Sequence, residues 1–334
     1  MPKKESAQLA KTLAKTPDNS SGIYCLGAMS VDRKFDLLSD IVWKTSNPAT
    51  STLSVGGVAR NIAENLGRLS VDVSLLSLGG FDQDFNYLKE ESEAFINLSL
   101  VRQIEGFSTC AYNAVLDMKG EMQLGLADMQ INEKMDLSWI GQFHDLLSSA
   151  RLLIADLNLP AETIAYILSL AKQFNIDLFI IPVSGPKMSR LPRDLSSLAW
   201  LIVNQDESET FFQTKVKSEQ DFAELADLWL KTGVENVVIT RGARPSIYVN
   251  QSGARLSFTP PQVTHVLDVT GAGDSYASGI IFGHLQNLDP RTCIRLGMTN
   301  SYHTIQSPFT VRQDLTAEKL LAQMNILFTE EKNI

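Results

Sequence analysis

Short, near-continuous apolar runs alternate with segments of helical periodicity along most of the chain. Residues 152–155 (Leu-Leu-Ile-Ala) predict a strand, and 160–174 predict a helix that starts on proline, where a missing N–H costs nothing. Strands over 176–181, 200–203 and 237–239 follow, with a helix over 221–232 between the last two. The first third repeats the unit. A strand over 22–28 precedes a helix over 61–69, with Ile62, Leu66 and Leu69 on one face, and a strand over 71–77. Apolar strands separated by helices predict an α/β fold: a doubly wound, mostly parallel sheet flanked by helices.

Two stretches break the alternation. Residues 31–55 are long and irregular. Residues 109–127 read as a hairpin: a strand over 111–116, the turn Asp117-Met-Lys-Gly120, and a strand over 122–126. Together they predict a small antiparallel β lid, formed from about 31–55 and 109–127, that would keep water from a reacting centre. A purely decorative hairpin is the alternative. Residues 1–21 are polar and lysine-bearing and read as a flexible tail, with at most a short helical turn over 7–14. Residues 22–330 read as one domain.

With 334 residues, 44% hydrophobic and 20% charged, the chain can bury a large core. A net charge of −9 gives no sign of a nucleic-acid partner. Cys25, Cys110 and Cys293 are too scattered for a metal site or a disulfide framework, so a reducing cytoplasm is expected. No apolar run approaches a membrane span, and the N-terminus lacks a signal-peptide core.

The chemistry concentrates in Asp268-Val-Thr-Gly-Ala-Gly-Asp274, followed by a helical run over 275–286. N–H groups at a helix start, with the helix dipole behind them, bind anions. A carboxylate at the same point is suited to take a proton from an alcohol during phosphoryl transfer. Read alone, the segment is equally a glycine turn with a capping aspartate. Three further segments fall near strand ends, where doubly wound sheets bind ligands: Ser54-Val-Gly-Gly57 leading to Arg60-Asn61, Asn204-Gln-Asp-Glu207, and Thr240-Arg-Gly242. Each alone reads as a cap or turn. No Walker A motif occurs. His144, His265, His284 and His303 form no cluster.

In their joint order these segments resemble the ribokinase, or PfkB, family of sugar and nucleoside kinases, from about Gly22 to about Leu321. The resemblance implies a ribokinase-like fold and ATP-dependent phosphorylation of a primary hydroxyl. Asp274 would be the general base, and the N–H groups of Gly271, Ala272 and Gly273 the anion hole. Asp32, Gly57 and Asn61 would bind sugar hydroxyls, with Gly56 and Arg60 in the same acceptor-binding segment. Asn204 and Glu207 would organise Mg2+ and phosphate through water. Thr240, Gly242 and Asn300 would lie beside the nucleotide. Asp268 and Thr270 fall where some members bind a monovalent cation such as K+. Within the family, Ser46-Asn-Pro48, Gly56 to Leu66, Gly120-Glu-Met122, Ala127-Asp-Met129 and Ile154-Ala-Asp156-Leu-Asn158 are similar to a nucleoside-kinase subgroup. That implies the 5′-hydroxyl of pseudouridine as acceptor. Another nucleoside, a ribose- or fructose-type sugar, or a non-catalytic ligand-binding protein on the same fold are the alternatives. Val269, Pro245, Ile181, Asn86 and Ser30 depart from the family pattern. A lid edge able to pair with a second copy makes a homodimer a further expectation.

Overall fold

The structure, a computed structural model, describes residues 22–328. The expected tail over 1–21, with its turn at 7–14, lies outside them, as do the last two residues of the expected domain. In chain order the strands are β1 (Ile23–Leu26), β2 (Ser30–Leu37), β3 (Ala49–Gly56), β4 (Ser74–Leu76), β5 (Leu78–Gly79), β6 (Arg102–Gln103) and β7 (Cys110–Leu116). Then come β8 (Met122–Asp128), β9 (Leu152–Asp156), β10 (Asp177–Ile181), β11 (Trp200–Asn204), β12 (Asn236–Arg241), β13 (Arg244–Asn250) and β14 (Arg255–Phe258).

Successive side chains of a strand face opposite ways, and in the main sheet both faces are buried. Ile23, Cys25, Leu152, Ile154, Phe179, Ile181, Trp200 and Ile202 join one core cluster. Their neighbours Tyr24, Leu26, Leu153, Ala155, Leu178, Ile180, Leu201 and Val203 join the other. This two-sided burial explains why the strands read as unbroken apolar runs. The sheet has eight strands in the order β14-β13-β12-β11-β10-β9-β1-β4. Pairing is parallel from β4 through β12 and antiparallel for β12–β13 and β13–β14. The parallel strands therefore end along one edge, which carries Gly27, Asp156, Ile181, Asn204 and Thr240.

The irregular stretch 31–55 is mostly strand. β2 and β3 pair over their full lengths and join β7 and β8 in a second sheet, ordered β3-β2-β7-β8. Its outer pairs are antiparallel, as expected for a hairpin-built sheet, but β2 and β7 run parallel. The chain crosses the main domain between them, which allows the same direction. The threonines in β3 favour strand but mark no buried face, and the serines interleaved with them carry no strand preference, so the pattern alone did not reveal it.

Some elements carry no clear sequence signal. Helix Pro290–Thr304 buries Thr299, Asn300 and Thr304, which blurs its apolar stripe. Strands β13 and β14, and helices Gln205–Phe212 and Ala317–Leu327, were likewise not apparent from periodicity. The cysteines are buried free thiols. No helix among the described residues is long and apolar enough to cross a membrane.

Helix Ala272–Leu285, which begins the signature's active end, lies against helix Pro290–Thr304 at glycine contacts. A Cβ on Gly279 would fall 2.6 Å from the Gly297 Cα, and one on Gly283 would fall 2.8 Å from Cys293 Sγ. Replacing Gly279 by valine is predicted to cost roughly 1–3 kcal/mol through overpacking. Urea unfolding checks this: the midpoint should fall with an unchanged slope, and an unshifted midpoint would disprove the close crossing.

Candidate active site

Gly271 turns the chain into helix Ala272–Leu285 with φ 79°, and a Cβ there would sit 2.1 Å from the Thr310 carbonyl oxygen. Only glycine fits that turn. The first N–H groups of a helix have no acceptor within it. Of the three donors expected, Ala272 is turned back into its own loop, donating to the Val269 carbonyl at 3.2 Å. Gly273 lines the cleft, and no atom lies within 4 Å of where its Cβ would stand. Of the three residues expected to form the anion hole, Ala272 and Gly273 line the cleft beside Asp274.

Asp274 lines the same cleft from the first turn of that helix, and its Oδ2 accepts a hydrogen bond from Asn61 Nδ2 at 2.7 Å. Burial pushes its carboxyl up to about 7. The Asn61 bond and Arg60 oppose that rise, whereas the nearby Asp156 and Asp32 carboxylates reinforce it. A carboxylate titrating near neutrality is well matched to general-base work.

Asn61 is positioned by its own helix start. Gly57 adopts φ 94°, and a Cβ there would meet the Ala28 carbonyl oxygen at 2.4 Å. Helix Val58–Arg68 begins immediately, three residues earlier than periodicity suggests. Gly56 leaves room for the Asp32 carboxylate, which would stand 2.4 Å from a Cβ at that position. Asp32 projects from β2, hydrogen bonded by Ser30 Oγ at 3.3 Å, and burial raises its carboxyl.

Arg60 does not reach the cleft as an acceptor ligand. It is fully buried: Nε donates to the Gly56 carbonyl at 2.9 Å, and the guanidinium also engages Glu64 and Asn61 Oδ1. Its role is to hold the strand end and fix the Asn61 amide, so that the amide's NH2 points to Asp274. Asp156, which the sequence offered only as part of a subgroup pattern, is a second fixture. Its buried carboxylate accepts N–H groups from Ala28 at 3.1 Å, Ala59 at 3.0 Å and Asn158 at 2.8 Å. It thereby ties the loop after β1 to the start of helix Val58–Arg68.

Away from Asp274 the cleft extends along the ends of β10, β11 and β12, with a volume of about 690 Å³. Asn204, Glu207, Thr240 and Gly242 line it. Asn204 and Glu207 also make a reciprocal capping box, each side chain accepting the other's backbone N–H at 2.8 Å. Only one Glu207 oxygen is used in that box. Asn300, expected beside the nucleotide, is instead fully buried. Its amide donates to Asn65 Oδ1 at 2.9 Å and the Ser275 carbonyl at 3.0 Å, and its oxygen accepts from Arg312 at 3.1 Å. It braces three segments behind the site. Asp268 Oδ1 accepts from Thr270 N at 2.8 Å and Oγ1 at 2.6 Å, and Oδ2 engages Lys34. The reading of individual motifs missed the apolar wall of Pro260, Pro261, Val263, Val266, Met298 and Ile305. Its one sequence signal is the Pro-Pro pair ahead of apolar residues that have no partner strand. None of the four histidines lines the cleft.

A near-neutral carboxylate beside a glycine-built helix start, at the strand ends of a doubly wound sheet, defines a phosphotransferase acting on an alcohol. The profile of the pfkB family carbohydrate kinases matches residues 21–314, and the chain belongs to that family. It is a carbohydrate or nucleoside kinase with a ribokinase-like fold. It is 26% identical over 303 residues to the pseudouridine kinase of Escherichia coli, covering 90% of this chain and 95% of that one. A putative sugar kinase from Clostridium perfringens superposes with a TM-score of 0.79 at 26% identity, covering 92% and 97% of the two chains. Arabidopsis thaliana ribokinase, solved with ribose and ATP, superposes at 0.77 with 15% identity, covering 91% and 98%.

The buried Arg60–Glu64 pair gives a stability prediction. Arg60→Met leaves Glu64 with only Arg68, whose Nε lies 2.8 Å from it, as a charged partner. The expected cost is roughly 3–5 kcal/mol. The double variant Arg60→Met/Glu64→Leu should recover much of that loss in urea unfolding. A single variant as stable as the parent would contradict the arrangement.

Proposed function

We propose that the protein transfers the γ-phosphoryl group of ATP to a primary hydroxyl of a ribose-containing acceptor, the 5′-hydroxyl of pseudouridine. The observation that carries this is the Asn61-oriented Asp274 carboxylate at the mouth of the Gly271–Gly273 turn. The E. coli relative's activity favours pseudouridine over another nucleoside, ribose or a fructose-type sugar. Asp32 and the Gly56–Gly57 edge would hold acceptor hydroxyls. Asn61 would orient Asp274 as well as touch the acceptor. Thr240, Gly242 and the apolar wall would hold the nucleotide.

Among the described residues no group of three His, Cys, Asp or Glu side chains is placed to hold a metal directly. Mg2+ binds through few carboxylates, several waters and substrate phosphates. Glu207, with one carboxylate oxygen outside its capping box, is the residue to hold it through water. When bound, Mg2+ would neutralise phosphate charge. The small sheet β3-β2-β7-β8 would act as the lid over the acceptor, since Asp32 reaches the site from β2. The face opposite Asp32 exposes Leu53, Leu124 and Leu126, which favours pairing with a second copy.

Asp274→Asn is predicted to lower kcat by roughly 10²- to 10⁴-fold while acceptor binding, followed calorimetrically, persists. Unchanged turnover would sink the assignment. The free enzyme's kcat/KM should rise with pH through a midpoint of about 7 as Asp274 ionises. Because the Asn61 bond favours the ionised form, Asn61→Leu should move that midpoint upward; a profile flat across neutrality would remove Asp274 as the base. ADP release over a panel of nucleosides and sugars identifies the acceptor. Turnover of a fructose-type sugar alone would exclude pseudouridine, and saturable binding without ADP release would point to a non-catalytic ligand-binding protein.

A further inference from the structure

Lys34 lies two residues beyond Asp32 on β2, so both side chains leave the same face of that strand. Its ammonium is paired with Asp268 Oδ2, joining the small sheet to the signature loop. The other oxygen, Oδ1, is taken by the Thr270 N–H at 2.8 Å and hydroxyl at 2.6 Å. The Asp268 backbone is itself anchored, its N–H donating to the Ile305 carbonyl at 3.4 Å beside Leu267 N–H at 2.8 Å. Burial alone would raise the Asp268 carboxyl; hydrogen bonds from Lys34 and Thr270 hold it below its ordinary value.

Asp268 stands three residues before the Gly271 turn. A bare carboxylate there would repel the phosphoryl group that the loop must receive, so it needs a counter-cation. The residues do not fit a K+ ion at Asp268. One carboxylate oxygen already has an ammonium, and the other already has two donors.

We propose that Lys34 is the built-in counter-cation of the signature loop. The enzyme then runs without a monovalent-cation activator, and β2 is coupled to the loop through this ion pair. Lys34 is a positioning residue: it acts on the anion-binding turn through Asp268 and Thr270. This inference rests on the kinase reading above.

The test compares the full-length protein with Lys34→Met and Lys34→Arg in choline, sodium, potassium and ammonium chlorides at one ionic strength, so that general screening is constant. The unsubstituted enzyme should show the same rate in all four salts. Lys34→Met in choline chloride should fall roughly tenfold or more, the scale for weakening an anion-stabilising group. Potassium or ammonium should restore it, and Lys34→Arg should behave like the parent. A second readout needs no turnover: the unfolding temperature of substrate-free Lys34→Met should rise in KCl relative to choline chloride, and that of the parent should not. Potassium activation of the unsubstituted enzyme would overturn the proposal. So would a Lys34→Met variant that keeps full rate in choline chloride, or one that loses rate with no cation rescue. If the unsubstituted protein phosphorylates nothing in the acceptor panel, the kinase reading fails instead, and the unfolding comparison still decides whether Lys34 fills the cation position.

Discussion

The hydrogen bond from Asn61 to Asp274 holds the site together. It joins the starts of two helices more than two hundred residues apart in sequence and fixes the carboxylate that faces the cleft. A bond to an ionised group contributes roughly 1.5–3 kcal/mol, but its geometry matters more than its energy. Asn61 is set by the Gly57 turn, by Arg60 and, one helical turn on, by Asn65, whose Nδ2 donates to the Asn61 carbonyl at 2.8 Å. Asn65 in turn meets Asn300, which holds the Ser275 carbonyl just beyond Asp274. A buried polar seam thus runs through three helices, and a fully connected seam of this kind specifies one arrangement of them.

The electrostatic problem of the site is crowding of like charge. Asp32, Asp156 and Asp274 stand close enough for the first two to raise the third, around a cleft suited to a polyanion. The chain answers each carboxylate differently. Asp156 is satisfied by backbone N–H groups and Asn158. Asp274 has Asn61 and the field of the buried Arg60. Asp268, nearest the turn on the other side, has Lys34. In the proposed reaction an incoming phosphate would meet the start of helix Ala272–Leu285, since Arg241, which also lines the cleft, is already paired with Glu219. An overall negative chain can therefore still offer an anion site.

Much of this was legible in the residues. The apolar runs located β1, β9, β10, β11 and β12, and the glycine positions of the signature located the helix that carries Asp274. The spacing of Asn204 and Glu207 placed them at a strand end, where they line the cleft. Three things were not legible. Arg60 was expected as a ligand because it lies in the segment that the family resemblance assigns to acceptor binding; whether it turns inward depends on Glu64 and the strand end above it. Asn300 looked the same from sequence whether it faced nucleotide or core. The parallel pairing of β2 with β7 depends on a crossover that local periodicity does not encode.

By itself the sequence determined the layered α/β plan, the glycine turns and the place of Asp274 at a helix start, because these rest on local periodicity and on backbone angles that only glycine adopts at Gly57 and Gly271. The tertiary structure decided which polar side chains meet a ligand and which hold others in place. That depends on burial and on partners brought together from distant parts of the chain: Asp274 with Asn61, Asn300 with Asn65, Asp268 with Lys34. A side chain's chemistry is written in its residue type, but its use is set by the charges and donors that folding places around it.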